Sequence, residues 1–303
     1  MIPCVKRDDS LIVGTFISRP NRFLATVRIE SQVEPGGRLA GCGTGLGCHV
    51  TRGDTQGGAW GGAGSGAWGG VGDGGDARYC DVGVHVADPG RLKELLVPGC
   101  TVYVAIAGDG PRGGPRLPEP RAAKRGRRGA SPRKTAYDLA LVDHDGMLVS
   151  VDSRVPNHLV FAALRAGFFP DLAVYPEVRR ECVYGESRID FRLSGSAAGD
   201  CLLEVKSVTL VRGGRALFPD APTARGARHV RELARAVAEG LGAVAMFIIQ
   251  REDADSLSPN DETDPGFGAA LRDAARSGVE VRAYTCRVAR ERICLHREVP
   301  VVL

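Results

Sequence analysis

Aromatic side chains are scarce in this chain, 6% of 303 residues, and methionine occurs only three times. Cores must therefore come mainly from Val, Leu, Ile and Ala, within an ordinary hydrophobic fraction of 43%. Long apolar runs are missing: the longest, residues 241–249, is too short to span a bilayer. Residues 1–9 hold no apolar stretch and carry Asp8 and Asp9, which argues against a signal or transit peptide. The nine cysteines are odd in number and scattered, with no closely spaced even framework, so free thiols in a reducing compartment are expected. Together these absences predict a soluble, intracellular protein with no membrane partner. The net charge of +4 is mild, so its distribution matters more than its total.

The length predicts two domains of roughly 150 residues each. In the first, residues 11–16 and 23–29 read as paired strands around a turn at Arg19-Pro20-Asn21-Arg22. Strands at 79–86 and 101–107, with a short helix over 91–96 between them, suggest an OB-like β-barrel over residues 1–107. This domain is interrupted by residues 36–76, with 18 glycines in 41 positions. That stretch cannot bury enough surface to offset its ordering entropy and is expected to be a disordered insertion. Cys42 and Cys48-His49 within it fit no zinc spacing. Residues 111–134 carry nine basic side chains against Glu119 alone, marking 108–134 as a flexible basic linker, solvated or in contact with phosphate.

Residues 135–303 are denser. A strand pair (137–142, 147–151) precedes a helix near 156–166, with Pro156 in its first turn and Gly167 as its stop. Strands follow near 174–183, 187–193 and 201–210, then a helix capped by Thr223 and ending at Gly240. The apolar run 243–249 reads as a covered strand; a helix near 266–277 and a strand at 279–284 close the core. This order predicts a mixed sheet flanked by helices, so the chain is expected to be α/β plus all-β.

Chemistry concentrates at Asp190 and at Glu204-Val205-Lys206. Side chains alternate along a strand, so Glu204 and Lys206 share a face, roughly 6–7 Å apart. Such a pair also occurs on the solvated face of an antiparallel sheet. Here Leu202, Leu203, Val205, Val208 and Leu210 populate both faces, as in a covered strand, where charges must be paired or metal-bound. Two carboxylates and an ammonium suit divalent-metal phosphodiester hydrolysis, with Asp190 and Glu204 as ligands and Lys206 orienting water or steadying developing charge.

Longer stretches carry a resemblance. Tyr184-Gly185-Glu186-Ser187-Arg188-Ile189-Asp190-Phe191, Leu203-Glu204-Val205-Lys206-Ser207-Val208, Leu217-Phe218-Pro219-Asp220-Ala221-Pro222-Thr223 and Arg225-Gly226-Ala227-Arg228-His229 resemble the sugar fermentation stimulation protein A family, as do Thr135 to Leu139 and Val151 to Asn157. In the first half the match is patchier, at Arg22-Phe23-Leu24-Ala25 and from His85 to Gly99. The resemblance implies an N-terminal OB-like β-barrel, a C-terminal PD-(D/E)XK nuclease-like mixed sheet flanked by helices, DNA binding, and a nuclease acting on DNA or RNA with Mg2+ (or Mn2+). A non-catalytic DNA-binding regulator is the alternative. Ala87-Asp88-Pro89-Gly90 departs from the family's Pro-Asn-(Pro/Thr)-Gly, placing an acid where an amide stands.

Around the central trio, Glu177 reads as a further metal acid or as a surface charge beside Arg179 and Arg180. Asn157 either reaches the site or caps its helix. Arg225, Arg228 and His229 open the helix after the metal strand and are candidate phosphate contacts, with His229 also readable as a helix-surface histidine. Asp220 reads as a turn acid near the site and Gln250 as a strand-end amide. In the first domain Arg19, Arg22 and Arg91 are candidate nucleic-acid contacts, and Phe23 is assigned to the core in preference to base stacking.

Overall fold

The computed structural model describes residues 2–7, 11–31, 50–51, 78–107, 135–197 and 199–303. Apart from Val50–Thr51, the Gly-rich insertion at 36–76 and the basic linker at 108–134 lie outside the described residues.

In chain order the elements begin with β1 (Cys4–Lys6), β2 (Ile12–Asn21), β3 (Leu24–Ser31), β4 (Val50–Thr51), β5 (Arg78–His85), β6 (Thr101–Ile106), β7 (Tyr137–His144) and β8 (Met147–Ser150). Strands β4-β5-β3-β2-β6-β7-β8 form one sheet, and a parallel pairing of β5 with β7 closes five of them into a barrel. Phe16, Val27, Val84, Val102 and Leu139 fill it. Two expectations change here. Residues 137–150 belong to the barrel, because Leu139, Val142 and Val149 point into its core. The helix expected over 91–96 is a turn, in which Leu92 takes a left-handed φ of 50° and is fully buried.

The remainder comprises α1 (Val155–Arg165), β9 (Glu177–Tyr184), β10 (Ser187–Ser196), β11 (Gly199–Val208), β12 (Val211–Arg212), β13 (Arg215–Phe218), α2 (Ala224–Ala238), β14 (Gly242–Ile249), β15 (Ser256–Pro259), α3 (Pro265–Arg276), β16 (Glu280–Val288) and β17 (Arg292–Val299). Its main sheet runs β1-β17-β16-β14-β11-β10-β9, with β11, β14 and β16 parallel. A small sheet, β12-β13-β15, lies beside it. Helices α2 and α3 pack Val230, Leu233, Phe267 and Leu271 onto one face. Helix α1 packs Val155, Leu159 and Ala163 onto the other. With both faces covered, β14 is apolar throughout, as parallel strands must be. Thr223 accepts the Gly226 amide at 3.0 Å, and Asp264 caps α3 by accepting the Phe267 amide at 2.9 Å. The chain is thus a closed OB-type barrel followed by a mixed sheet flanked by helices.

Strand β1 leaves its own half of the chain and pairs with β17, where Cys4 and Cys294 face each other and form a disulfide. This corrects the expectation of free thiols for that pair; Cys100, Cys182, Cys201 and Cys286 are free. No helix among the described residues is long and apolar enough to cross a membrane.

The two halves meet through polar contacts. Ser150 on β8 donates its hydroxyl to Gln250 Oε1 at 2.7 Å, and Gln250 Nε2 donates to Ser207 Oγ at 2.9 Å. The Ser153 hydroxyl donates to the Ala87 carbonyl at 2.8 Å, and the Leu92 amide donates to Asp220 Oδ2 at 3.1 Å. Gln250, read as a strand-end amide, is fully buried at this seam.

Candidate active site

Strands β10 and β11 pair from Phe191↔Leu203 outward toward their hairpin, and the ladder stops on the other side at Asp190. Ile189 packs with the α2 cluster and Phe191 with the α1 cluster, so β10 turns over at Asp190. The released Val205 N–H is taken by Asp190 Oδ2 at 2.8 Å, which satisfies a backbone donor the ladder no longer serves. Asn157 on α1 donates to the other oxygen, Oδ1, at 2.8 Å. The Asp190 carboxylate is thus fixed in the fork between two strands.

Glu204 and Lys206 share the α2 face of β11, as strand alternation requires. Lys206 Nζ lies 2.5 Å from Glu204 Oε1, and the same oxygen receives His229 Nδ1 from α2. Glu204 Oε2 accepts the Asp190 amide at 3.3 Å. Glu204 is 3% exposed and Lys206 9%, so neither has bulk water as its main partner. Burial pushes the Glu204 carboxyl up, but Lys206 and His229 outweigh it and hold the group below its usual range. Burial and then the Glu204 charge push Asp190 up, so the two carboxylates differ in proton affinity.

These groups line a cavity of about 560 Å³ between the barrel and the mixed sheet. Arg22, Asp88, Pro89 and Gly90 come from the barrel; Asp190, Glu204, Lys206 and His229 come from the sheet and α2. Thr223, Ala224 and Arg225 bring the N-terminus of α2 to the same space, where its free amides and positive dipole end favour an anion. Asp88 is buried against Gly90, whose amide donates to it at 2.8 Å, and burial lifts its carboxyl to about 6.

The other sequence candidates divide. Asn157 serves as a positioning partner of Asp190, and His229, expected at a phosphate or on the helix surface, is buried against Glu204. Glu177 does not join the site: it is exposed, pairs across from Ser194 and accepts its hydroxyl, four residues along β10 from Asp190. Arg228 is exposed on α2 outside the cavity lining, whereas Arg225 lines it and lies 3.3 Å from His229 Nε2. Arg19 spends its guanidinium on the carbonyls of Arg22, Asp88 and Arg91, and so organises backbone. Arg22 and Arg91 are exposed. Phe23, assigned to the core, is 50% exposed. Asp220 lines the cavity and anchors the barrel loop. Asp88, which the sequence marks only as an acid replacing an amide in the Ala87-Asp88-Pro89-Gly90 segment, lines the cavity.

Among the described residues no cluster of three or more His, Cys, Asp or Glu forms a preformed metal cage. Two neighbouring carboxylates nevertheless fit a hard divalent cation that keeps several waters and takes its remaining oxygens from a phosphate.

Residues 154–292 match the family described as the sugar fermentation stimulation protein RE domain, and residues 72–118 match its N-terminal OB domain. A sugar fermentation stimulation protein homolog of Moorella thermoacetica is 50% identical over 203 residues, 67% of this chain and 79% of the relative. One from Symbiobacterium thermophilum is 42% identical over 295 residues, 96% of this chain and 94% of the relative. A solved structure described as Pyrococcus furiosus SfsA in complex with Ca2+ superposes with a TM-score of 0.71 over the whole of both chains at 22% identity, which establishes the shared fold. On the strength of the sequence relatives, the chain belongs to the sugar fermentation stimulation protein family.

Proposed function

We propose that this protein hydrolyses phosphodiester bonds in nucleic acid with Mg2+ or Mn2+ held by Asp190 and Glu204. One observation carries the reading: a buried Glu and Lys two residues apart on a central strand meet an Asp delivered by a fork in the neighbouring strand. Nothing in packing alone calls for three charges there, since apolar residues of similar size are often at least as stabilising as a buried ion pair. When bound, the cation supplies Lewis acidity and a lowered water pKa. Asn157 and the Val205 amide orient Asp190, and His229 orients Glu204. Lys206 Nζ, released in part from Glu204, donates to the attacking water or to the charge developing on phosphorus oxygens. The first turn of α2 and Arg225 receive the phosphate chain.

The test is cleavage of labelled single-stranded and duplex DNA and RNA with Mg2+ or Mn2+. Lys206→Ala is expected to lose about 10²–10³ in rate. Equal cleavage by wild type, Glu204→Ala and Lys206→Ala would exclude this site. The rival reading, a DNA-binding regulator without hydrolysis, draws on how fully Lys206 and His229 already engage Glu204. It predicts salt-sensitive binding with no metal-stimulated cleavage.

A further inference from the structure

We propose that Phe23 and Arg22, on the turn between β2 and β3, form a stacking subsite for an unpaired nucleobase at the mouth of the cavity. The inference rests on the nuclease reading above and narrows its substrate to nucleic acid with an unpaired strand. Four observations converge. Phe23 is half exposed and stands outside the described apolar clusters, so its ring contributes little to folding. Its backbone is nevertheless held from both sides. Asn21 Oδ1 accepts the Phe23 amide at 2.9 Å, the Phe23 carbonyl accepts the Val86 amide at 3.0 Å, and Arg19 grips the Arg22 carbonyl at 2.6 Å. Arg19 at the same time holds the carbonyls of Asp88 and Arg91, which ties this turn to the loop that lines the cavity. The Arg22 guanidinium carbon lies 5.6 Å from the Phe23 ring centroid, and Arg22 itself lines the cavity with Asp190, Glu204 and Lys206.

An exposed aromatic on rigid backbone, backed by a cation, is a platform for a flat, polarisable ring, and little ordering entropy opposes its use. The positive Arg22 beside it complements a phosphate that follows the stacked base. In a duplex the faces of interior bases are covered by their neighbours, so only an unpaired, looped or terminal base presents a face to Phe23. The cavity of about 560 Å³ is in the size range that encloses one small organic ligand, and a nucleotide meets that description.

The experiment measures binding of the full-length protein to fluorescein-labelled 12-mers by anisotropy in Ca2+ buffer, with single-stranded DNA, single-stranded RNA and the matching duplexes as separate arms. Phe23→Ala is expected to weaken single-strand binding by roughly 5- to 100-fold and to leave duplex binding within about twofold. Phe23→Trp should restore single-strand affinity. Phe23→Leu, apolar but without a π face, should not. Wild-type binding to neither oligonucleotide, equal loss on strand and duplex, or full rescue by Phe23→Leu each overturns the subsite; the last would point instead to an apolar protein contact. Because Phe23 is exposed, unchanged urea midpoints will confirm that each variant folds. Cleavage that depends on Glu204 but is indifferent to Phe23 would leave the nuclease reading standing and remove only this inference. Stacking that depends on Phe23 without any cleavage would do the reverse.

Discussion

On the sheet side of the cavity, Glu204 is 3% exposed and two cationic or donor side chains close on one of its oxygens; on the barrel side, Arg22 and Phe23 stand in solvent. Both walls are rigid, but by different means. The sheet wall is rigid because its charged side chains have nowhere else to find partners once buried. The barrel wall is rigid because Arg19 fixes backbone carbonyls, which leaves neighbouring side chains free. On the sheet wall side chains are locked to one another; on the barrel wall exposed side chains are mounted on a locked main chain.

The comparison breaks most readily at Glu204. Removing its carboxylate in Glu204→Ala strands Lys206 and His229 in a buried place, which should destabilise the fold by about 3–5 kcal/mol. Phe23→Ala on the opposite wall should change stability by no more than about 0.5 kcal/mol. Urea unfolding of the two variants side by side checks this, and similar midpoints would show that the walls do not differ as described.

Asp88 is the exception on the barrel wall, a buried carboxylate lifted to about 6 by desolvation. Its ordinary value is 3.8, so the folded state holds an extra proton between the two. Stability from this group is therefore greatest below pH ~4, falls as pH climbs through ~4–6, and the full penalty, roughly 3 kcal/mol, is present above that window. Asp88→Asn keeps an oxygen for the Gly90 amide and removes the titration. It should stabilise the protein at pH 7 by up to that amount and make no difference near pH 4, as read from urea midpoints at the two pH values. A wild-type profile unchanged by the substitution would assign the effect elsewhere.

A smaller loss than that at Glu204 sharpens the contact between the walls. A Cβ at Gly90 would collide with the Asp220 carboxylate, which also accepts the Leu92 amide. Gly90→Ala should therefore lower stability by about 1–3 kcal/mol, measured by thermal or urea unfolding. A neutral result would show that the barrel loop can retreat from Asp220.

Much of the site was legible because it depends on short periodicities. Glu204 and Lys206 share a face by alternation alone, and Thr223 announces its helix through the cap it forms. His229 was legible in principle: Gly226, His229, Leu233 and Ala236 recur every three or four residues on the buried stripe of α2. Asp190 was not legible as geometry, because the fork that delivers it depends on where the β10–β11 ladder stops, which no local pattern encodes. Glu177 and Glu204 are the same residue type on strands of the same sheet, yet one lies on an edge strand in solvent and the other under a helix. Only strand order separates them. Likewise β7 is a continuous buried run that any covered strand could show, and the membership of β7 and β8 in the barrel follows from the parallel pairing of β5 with β7.

Strand β1 finds its hydrogen-bonding partner 290 residues downstream, at the Cys4–Cys294 pair. During synthesis it leaves the ribosome long before β17 and must wait, unpaired, while the barrel and most of the mixed sheet are made. Its docking is then a late closing event of very long range, which is slow on loop-entropy grounds. Until β17 arrives, the outer edge of β16 is an open template for other chains. A truncated transcript that stops short of β17 would therefore yield a sticky product, even with every catalytic candidate already in place.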